Sequence, residues 1–179
     1  MRLFIAIELS NDMRSELNGI SKALRERSCG GRFVPVENMH FTMHFLGETN
    51  DLAGAVDAMR EACRGIRPFE IRLGGYSFFE KNGSGGKTSI VEVKGELNEL
   101  SILHETLESA LADRGFSRDM KRFRPHITLG RSVEHDELVT QELRDIRLGA
   151  SVRVEGLTLF ESVRVKGNMV YNPLHVQKF

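Results

Sequence analysis

The chain has 179 residues, 40% of them apolar and 28% charged, with Lys plus Arg equal to Asp plus Glu at 25 each. This composition fits one folded domain, or two small lobes sharing a core, and excludes a disordered chain. With a net charge of zero there is no global field, so a polyanionic partner would need a local basic patch.

The first element predicted is a buried strand, "RLFIAIE" (2–8), rich in apolar and β-prone residues. Its apolar run, Leu3 to Ile7, is too short for a secretion signal or a membrane span, and Glu8 follows it, so a cytoplasmic protein without a membrane partner is expected. Ser10 is placed to cap a helix reaching about Arg27, with Met13, Leu17, Ile20 and Leu24 on one face. Cys29-Gly30-Gly31 ends it, and strands follow at 32–36 and 39–47. Residues 51–64 repeat apolar positions at helical spacing. A strand pair at 69–79 and 87–94 is joined by "EKNGSGG" as a hairpin tip. The helix with the clearest apolar spacing spans 96–114, with Leu97, Leu100, Leu103, Leu107 and Leu111 on its apolar side and Gly115 closing it. A strand at 122–131, a polar helix near 134–146 and a hairpin of 151–166 with 168–179 complete the chain. Helices alternate with strands but hairpins are frequent, which favours an α+β fold with antiparallel sheets over a doubly wound parallel sheet. No linker divides the chain, so 1–179 is expected to be a single domain.

Several motifs are excluded by spacing. Cys29 and Cys63 lack metal-ligand spacing and, as two thiols, fit a reducing compartment. "GSGGKT" (83–88) resembles a phosphate-binding loop, but Lys81 stands where the first glycine is required and a strand follows instead of a helix. His40 and His44 are four apart, yet the segment alternates with period two, so the pair does not share a helical turn and no metal site is expected. His104, His135 and His175 show no partner pattern and read as surface or capping residues.

The chemistry-bearing feature is a repeated His-x-Thr, once in "HFTMHF" (40–45) and once in "RPHITL" (124–129). Residues two apart in a strand share a face. His40 and Thr42 therefore point together, with His44 expected beside them, while Phe41, Met43 and Phe45 turn to the core. His126 and Thr128 repeat the arrangement over Ile127 and Leu129. One copy alone reads as a histidine on a polar sheet face beside a strand-favouring neighbour. Two copies in the same phase form a set suited to phosphoester chemistry without a metal or other cofactor. One imidazole accepts a proton while the other donates one, each contributing roughly 10²–10⁴-fold, and the hydroxyls hold phosphate oxygens.

In "MRLFIAIEL", "FVPVENMHFTMHFLGE", "RPHITLGR" and "LTLFESV", the chain resembles the 2H phosphoesterases over nearly its whole length. The likeness is to the RNA 2',3'-cyclic phosphodiesterases, or 2'-5' RNA ligase-like proteins. The resemblance implies a bilobal α+β fold with pseudo-twofold symmetry, two antiparallel sheets lining a central cleft and helices on the outer faces. It implies opening of RNA 2',3'-cyclic phosphate ends to 2'-phosphomonoesters. The partner expected is RNA with such an end, tRNA fragments among the candidates, and the protein is expected to act as a monomer. His40 matches the proton donor, His126 the proton acceptor, and Thr42 and Thr128 the phosphate-holding hydroxyls. Two departures bear on substrate contacts. His44 stands where a basic residue is frequent, and "SIVEV" (89–93) lacks a tryptophan.

Arg122 and Arg124 lie on the His126 face of a regular strand and could meet an RNA phosphate, although Pro125 marks a bend or an edge. Arg131 faces away by strict alternation, and a bulge at Gly130 would turn it back toward a phosphate. Tyr76 and Phe123 are possible base-stacking rings, with the core the preferred place for Phe123. Besides hydrolysis, the sequence admits a non-catalytic RNA-end binding module and a 2'-5' ligase running the same acid–base chemistry backwards.

Overall fold

The computed structural model describes residues 1–80 and 86–179. The chain runs β1 (Arg2–Ile7), α1 (Asn11–Arg27), β2 (Gly30–Phe33), β3 (Phe41–Glu48), α2 (Leu52–Cys63), β4 (Phe69–Glu80), β5 (Lys87–Gly95), α3 (Leu97–Ala112), β6 (His126–Glu134), α4 (Glu137–Arg144), β7 (Ser151–Val154), β8 (Gly156–Val165) and β9 (Asn168–Lys178). One sheet has the order β3-β1-β8-β9 and the other β2-β6-β5-β4-β7, and every pairing is antiparallel. Each sheet thus carries one of the two histidine segments. Among the described residues no helix is long and apolar enough to cross a membrane.

The helices form where the spacing places them. Ser10 caps α1, its hydroxyl accepting from the Met13 amide, and the predicted face of Met13, Leu17, Ile20 and Leu24 is buried. Asp51 and Asp136 cap α2 and α4 in the same way. On α3, Leu100, Leu103, Leu107 and Leu111 are buried, whereas Leu97 on its first turn is partly exposed. Gly115 adopts a left-handed conformation, and the Phe116 amide reaches back to the Leu111 carbonyl to close the helix. Helix α2 packs on α3 and on β8 and β9, while α4 packs on β4 and α1. The apolar core lies between these helices and the sheet faces they cover.

Four boundaries differ from the sequence expectation. The strand expected at 32–36 runs Gly30–Phe33, and a short 3-10 turn at Val36–Asn38 follows Pro35, since proline has no amide to continue the ladder. The strand expected at 122–131 begins only at His126 and extends to Glu134, although the Pro125 carbonyl still accepts from the Val93 amide. The arm 151–166 is two strands. Ser151–Val154 joins β4 in the five-stranded sheet, and the chain changes sheets at Glu155 so that Gly156–Val165 pairs with β1 and β9. The polar helix near 134–146 is shorter, Glu137–Arg144, because β6 persists to Glu134 and Asp136 supplies the cap. Most of the hairpin tip assigned to "EKNGSGG" lies at 81–85, outside the described residues.

Candidate active site

His40 immediately precedes β3, and its ring packs 4.6 Å from the Phe4 ring and edge-on to Tyr171 at 5.2 Å. Its Nδ1 lies 2.8 Å from the Asn38 carbonyl oxygen. At the start of β6, His126 Nδ1 lies 2.6 Å from the Arg124 carbonyl oxygen, and Phe79 stands edge-on at 5.0 Å. In both cases the partner is the carbonyl two residues back. A carbonyl only accepts, so each Nδ1 carries the hydrogen and each Nε2 is left with its lone pair. Neither Nε2 bonds to a described protein atom, and neither is sealed from solvent.

Burial is the main reason both imidazoles titrate below 6.5. The carbonyl bonds pull the other way. Arg14 and Arg131 lower His40 further, and Arg124 and Arg131 lower His126. One guanidinium, that of Arg131, therefore acts on both rings and ties the two sheets into one electrostatic site. Thr42 and Thr128 are half-buried on the same faces as their histidines.

The place of Arg131 comes from a bulge. Ile90 pairs with Thr128 and Ser89 with Gly130, so Leu129 has no partner of its own in β5. The extra residue advances the alternation by one. Arg131, which strict parity sends away from Thr128, returns to the cleft side and is exposed there.

A second bulge overturns two expectations in β3. Ala6 pairs with Thr42 and Ile5 with His44, leaving Met43 without a partner. His44 does not join His40 and Thr42. It shares the face of Ile5, is 4% exposed, and its Nδ1 hydrogen-bonds the Glu108 carboxyl. A substrate-binding role for His44 is therefore withdrawn. Phe45, expected in the core, instead pairs with Phe4 on the cleft face and is 63% exposed, its ring 6.0 Å from that of Phe4.

Arg124 lies on the His126 face as expected, donating to Glu92 at 3.0 Å and to Ser77 at 3.2 Å, with its guanidinium 4.6 Å over Phe79. Arg122 is exposed in the segment before β6 and has no hydrogen bond or ion pair among the described residues. Phe123 packs in the core, stacked on His104 at 3.7 Å, and Tyr76 is buried with its hydroxyl bonded to Ser89 and His135. His104 is thus a packing partner and not a surface residue, while His135, half-buried beside the start of α4, also meets the Asp136 carbonyl and the Thr140 hydroxyl. Sequence reasoning missed Arg14, which donates to the Val36 and Met39 carbonyls and braces the turn entering His40. It also missed Tyr171, brought over Phe4 and His40 by β9. The Asn38 side chain donates to the Met169 carbonyl at 2.8 Å and pins this strand to the turn. No local signal marks such long-range neighbours.

Comparison with known proteins agrees with this geometry. Residues 14–166 match the 2'-5' RNA ligase superfamily. The RNA 2',3'-cyclic phosphodiesterase of Archaeoglobus fulgidus is 32% identical, covering 92% of this chain and 99% of the relative. The RNA 2',3'-cyclic phosphodiesterase of Thermotoga maritima is 28% identical, covering 100% and 96%. Among solved structures, a protein of Thermus thermophilus superposes with a TM-score of 0.78 at 26% identity, covering 99% of this chain and 97% of the other. Escherichia coli LigT complexed with 3'-AMP gives 0.71 at 25% identity over 99% and 96%. The chain belongs to the 2'-5' RNA ligase superfamily of 2H phosphoesterases, in its RNA 2',3'-cyclic phosphodiesterase branch.

Proposed function

We propose that this protein hydrolyses RNA 2',3'-cyclic phosphate ends to 2'-phosphomonoesters by metal-independent general acid–base catalysis. The observation that carries the reading is the matched pair of histidines, each with Nδ1 committed to a backbone carbonyl and Nε2 uncommitted, under the shared influence of Arg131. His126 Nε2 takes a proton from water, whose oxygen bonds to phosphorus. The P–O3' bond breaks, and the departing oxygen receives the proton held on His40 Nε2. The sense of this assignment follows the family resemblance, because the two rings are alike in their local bonding. Thr42 and Thr128 hold the non-bridging oxygens, and Arg131 neutralises the charge that grows on them. Arg124 and Arg122 line the approach for the RNA backbone. The exposed face of Phe45 takes the terminal base by stacking.

The deciding experiment incubates the protein with an RNA oligonucleotide ending in a 2',3'-cyclic phosphate, with EDTA present, and identifies the product end by phosphorus NMR. The expected result is a 2'-phosphate, lost in both His40→Ala and His126→Ala. Turnover surviving in the double variant would sink the mechanism. Tight binding of the cyclic end by folded wild type without opening would point to an RNA-end binding module instead.

A further inference from the structure

Behind the cleft, a polar cluster interrupts the apolar core. Glu108, on α3, is 6% exposed, and its two carboxyl oxygens serve two different segments. Oε1 meets Nδ1 of His44 on β3, and Oε2 accepts from the Asp119 amide at 3.1 Å. His104, one turn earlier on α3, places its Nε2 3.7 Å from Oε1, and its ring stacks on Phe123. The titratable groups acting on His104 are Glu108, His44, Asp119 and Glu105. Among the described residues, His44 Nε2 is the one buried side-chain polar atom with no hydrogen-bond partner.

As a source of stability the arrangement is poor. A buried pair that leaves one polar atom unsatisfied gains little over apolar residues of the same volume. What it supplies is a fixed distance. His44 lies two residues beyond Thr42, at the bulge that sets which side chains face the cleft. Asp119 opens the segment that delivers Arg122, Arg124 and then His126, and its side chain in turn accepts from the Lys121 amide at 3.0 Å. Among the described residues no hydrogen bond joins 39–48 directly to 116–134. The nearest backbone tie is the Val34 amide to the Leu129 carbonyl at 2.8 Å, at the end of the β2–β6 ladder and across the 3-10 turn from His40, and the direct contact at 39–48 is apolar, with the Phe41 and Phe123 rings 6.3 Å apart. Apolar contacts slide, whereas a carboxyl held at both oxygens does not.

We propose that Glu108 is a positioning residue that fixes the gap between the two histidine segments, clamping β3 through His44 and the 119–125 segment through the Asp119 amide. Its consequence for turnover rests on the reading given under Proposed function. Glu108 touches no reacting atom, so its effect falls on kcat through the placement of His126 and its arginines against His40.

The test removes the clamp without leaving a buried charge. The double variant His44→Leu with Glu108→Met keeps the volume and apolar packing. Its expected melting temperature is no lower than that of wild type. Its kcat on a mononucleoside 2',3'-cyclic phosphate falls roughly ten- to hundredfold, as for a displacement of up to about 1 Å at the reacting groups, while KM is unchanged. In the resting protein, the His126 imidazole titration, followed by NMR, moves up toward 6.5 as the loosened segment admits water to the ring. Glu108→Asp, which keeps the charge and shortens the reach, moves both readouts the same way and serves in place of the double variant should that fail to fold. Wild-type kcat in the variant, or an unmoved His126 titration, overturns the proposal. If wild type itself leaves the cyclic phosphate intact while the titration still moves, the clamp stands and the hydrolytic reading falls.

Discussion

Gly130→Ala tests whether the bulge in β6 sets the position of Arg131. A Cβ at this position would lie 2.9 Å from Val133 Cγ2, 3.2 Å from the Arg32 carbonyl oxygen and 3.3 Å from Phe33 Cδ1. The Val133 methyl can rotate aside, but the Arg32 oxygen belongs to the neighbouring strand, in register with Arg131 and Gly130. Relief therefore requires β2 and β6 to move apart by a few tenths of an ångström at the residue before Arg131. Overpacking of this kind costs about 1–3 kcal/mol, which in a chain of this size lowers the melting temperature by roughly 2–4 °C per kcal/mol. The displacement carried to the guanidinium is expected to lower kcat/KM on the cyclic phosphate roughly ten- to hundredfold. Thermal melts and initial rates on one preparation read both quantities. A lower melting temperature with wild-type kcat/KM would refute the link between bulge and arginine, and wild-type values of both would refute the packing argument as well.

Three further outcomes follow from the site. The kcat/KM profile is expected to be a bell with its maximum on the acid side of 6.5, because burial lowers both histidines in the resting protein. The rate falls as rising pH strips the acid and as falling pH protonates the base, and a maximum above 6.5 would contradict the burial argument. Phe45→Ala is expected to raise KM roughly fivefold or more through lost base stacking. Since this side chain is 63% exposed, the melting temperature should stay put, and an unchanged KM would remove the base from this face. His40, His104 and His126 all titrate below 6.5 in the fold, so their contribution to stability is complete above 6.5 and is lost as pH falls through the lowered values. Urea midpoints should therefore fall on acidification from about pH 7 to 5, and less so in His104→Phe.

Much of this architecture is legible before any coordinates. The apolar faces of α1 and α3 follow from i, i+3 and i, i+4 spacing, and Ser10 from its position one residue before the helix. The two His-x-Thr segments announce the site because residues two apart must share a strand face. The same rule fails where a strand carries one residue too many. Met43 and Leu129 each lack a partner, and beyond each the inward and outward assignments exchange. His44 went to the core, Phe45 to the cleft and Arg131 back to the cleft for this single reason. Nothing in the chemistry of Met43 or Leu129 marks them as the extra residues, since the register is settled by the neighbouring strand. The exchange of sheets at Glu155, and the reach of Tyr171 to His40, depend in the same way on partners distant in sequence.

The carbonyl bonds at the two histidines make the rings chemical twins, and that bears on what happens between turnovers. In the proposed hydrolysis the site begins with a proton on His40 and ends with one on His126. Released product leaves behind a protein with the same fold and the same proton count, but with the proton on the wrong side. That isomer is primed for the reverse displacement and cannot open the next cyclic end until the proton is exchanged through solvent. Turnover then includes a resetting step outside the chemistry, which buffer acids and bases of small size can speed. A dependence of kcat on buffer concentration at constant pH and ionic strength would be its kinetic mark.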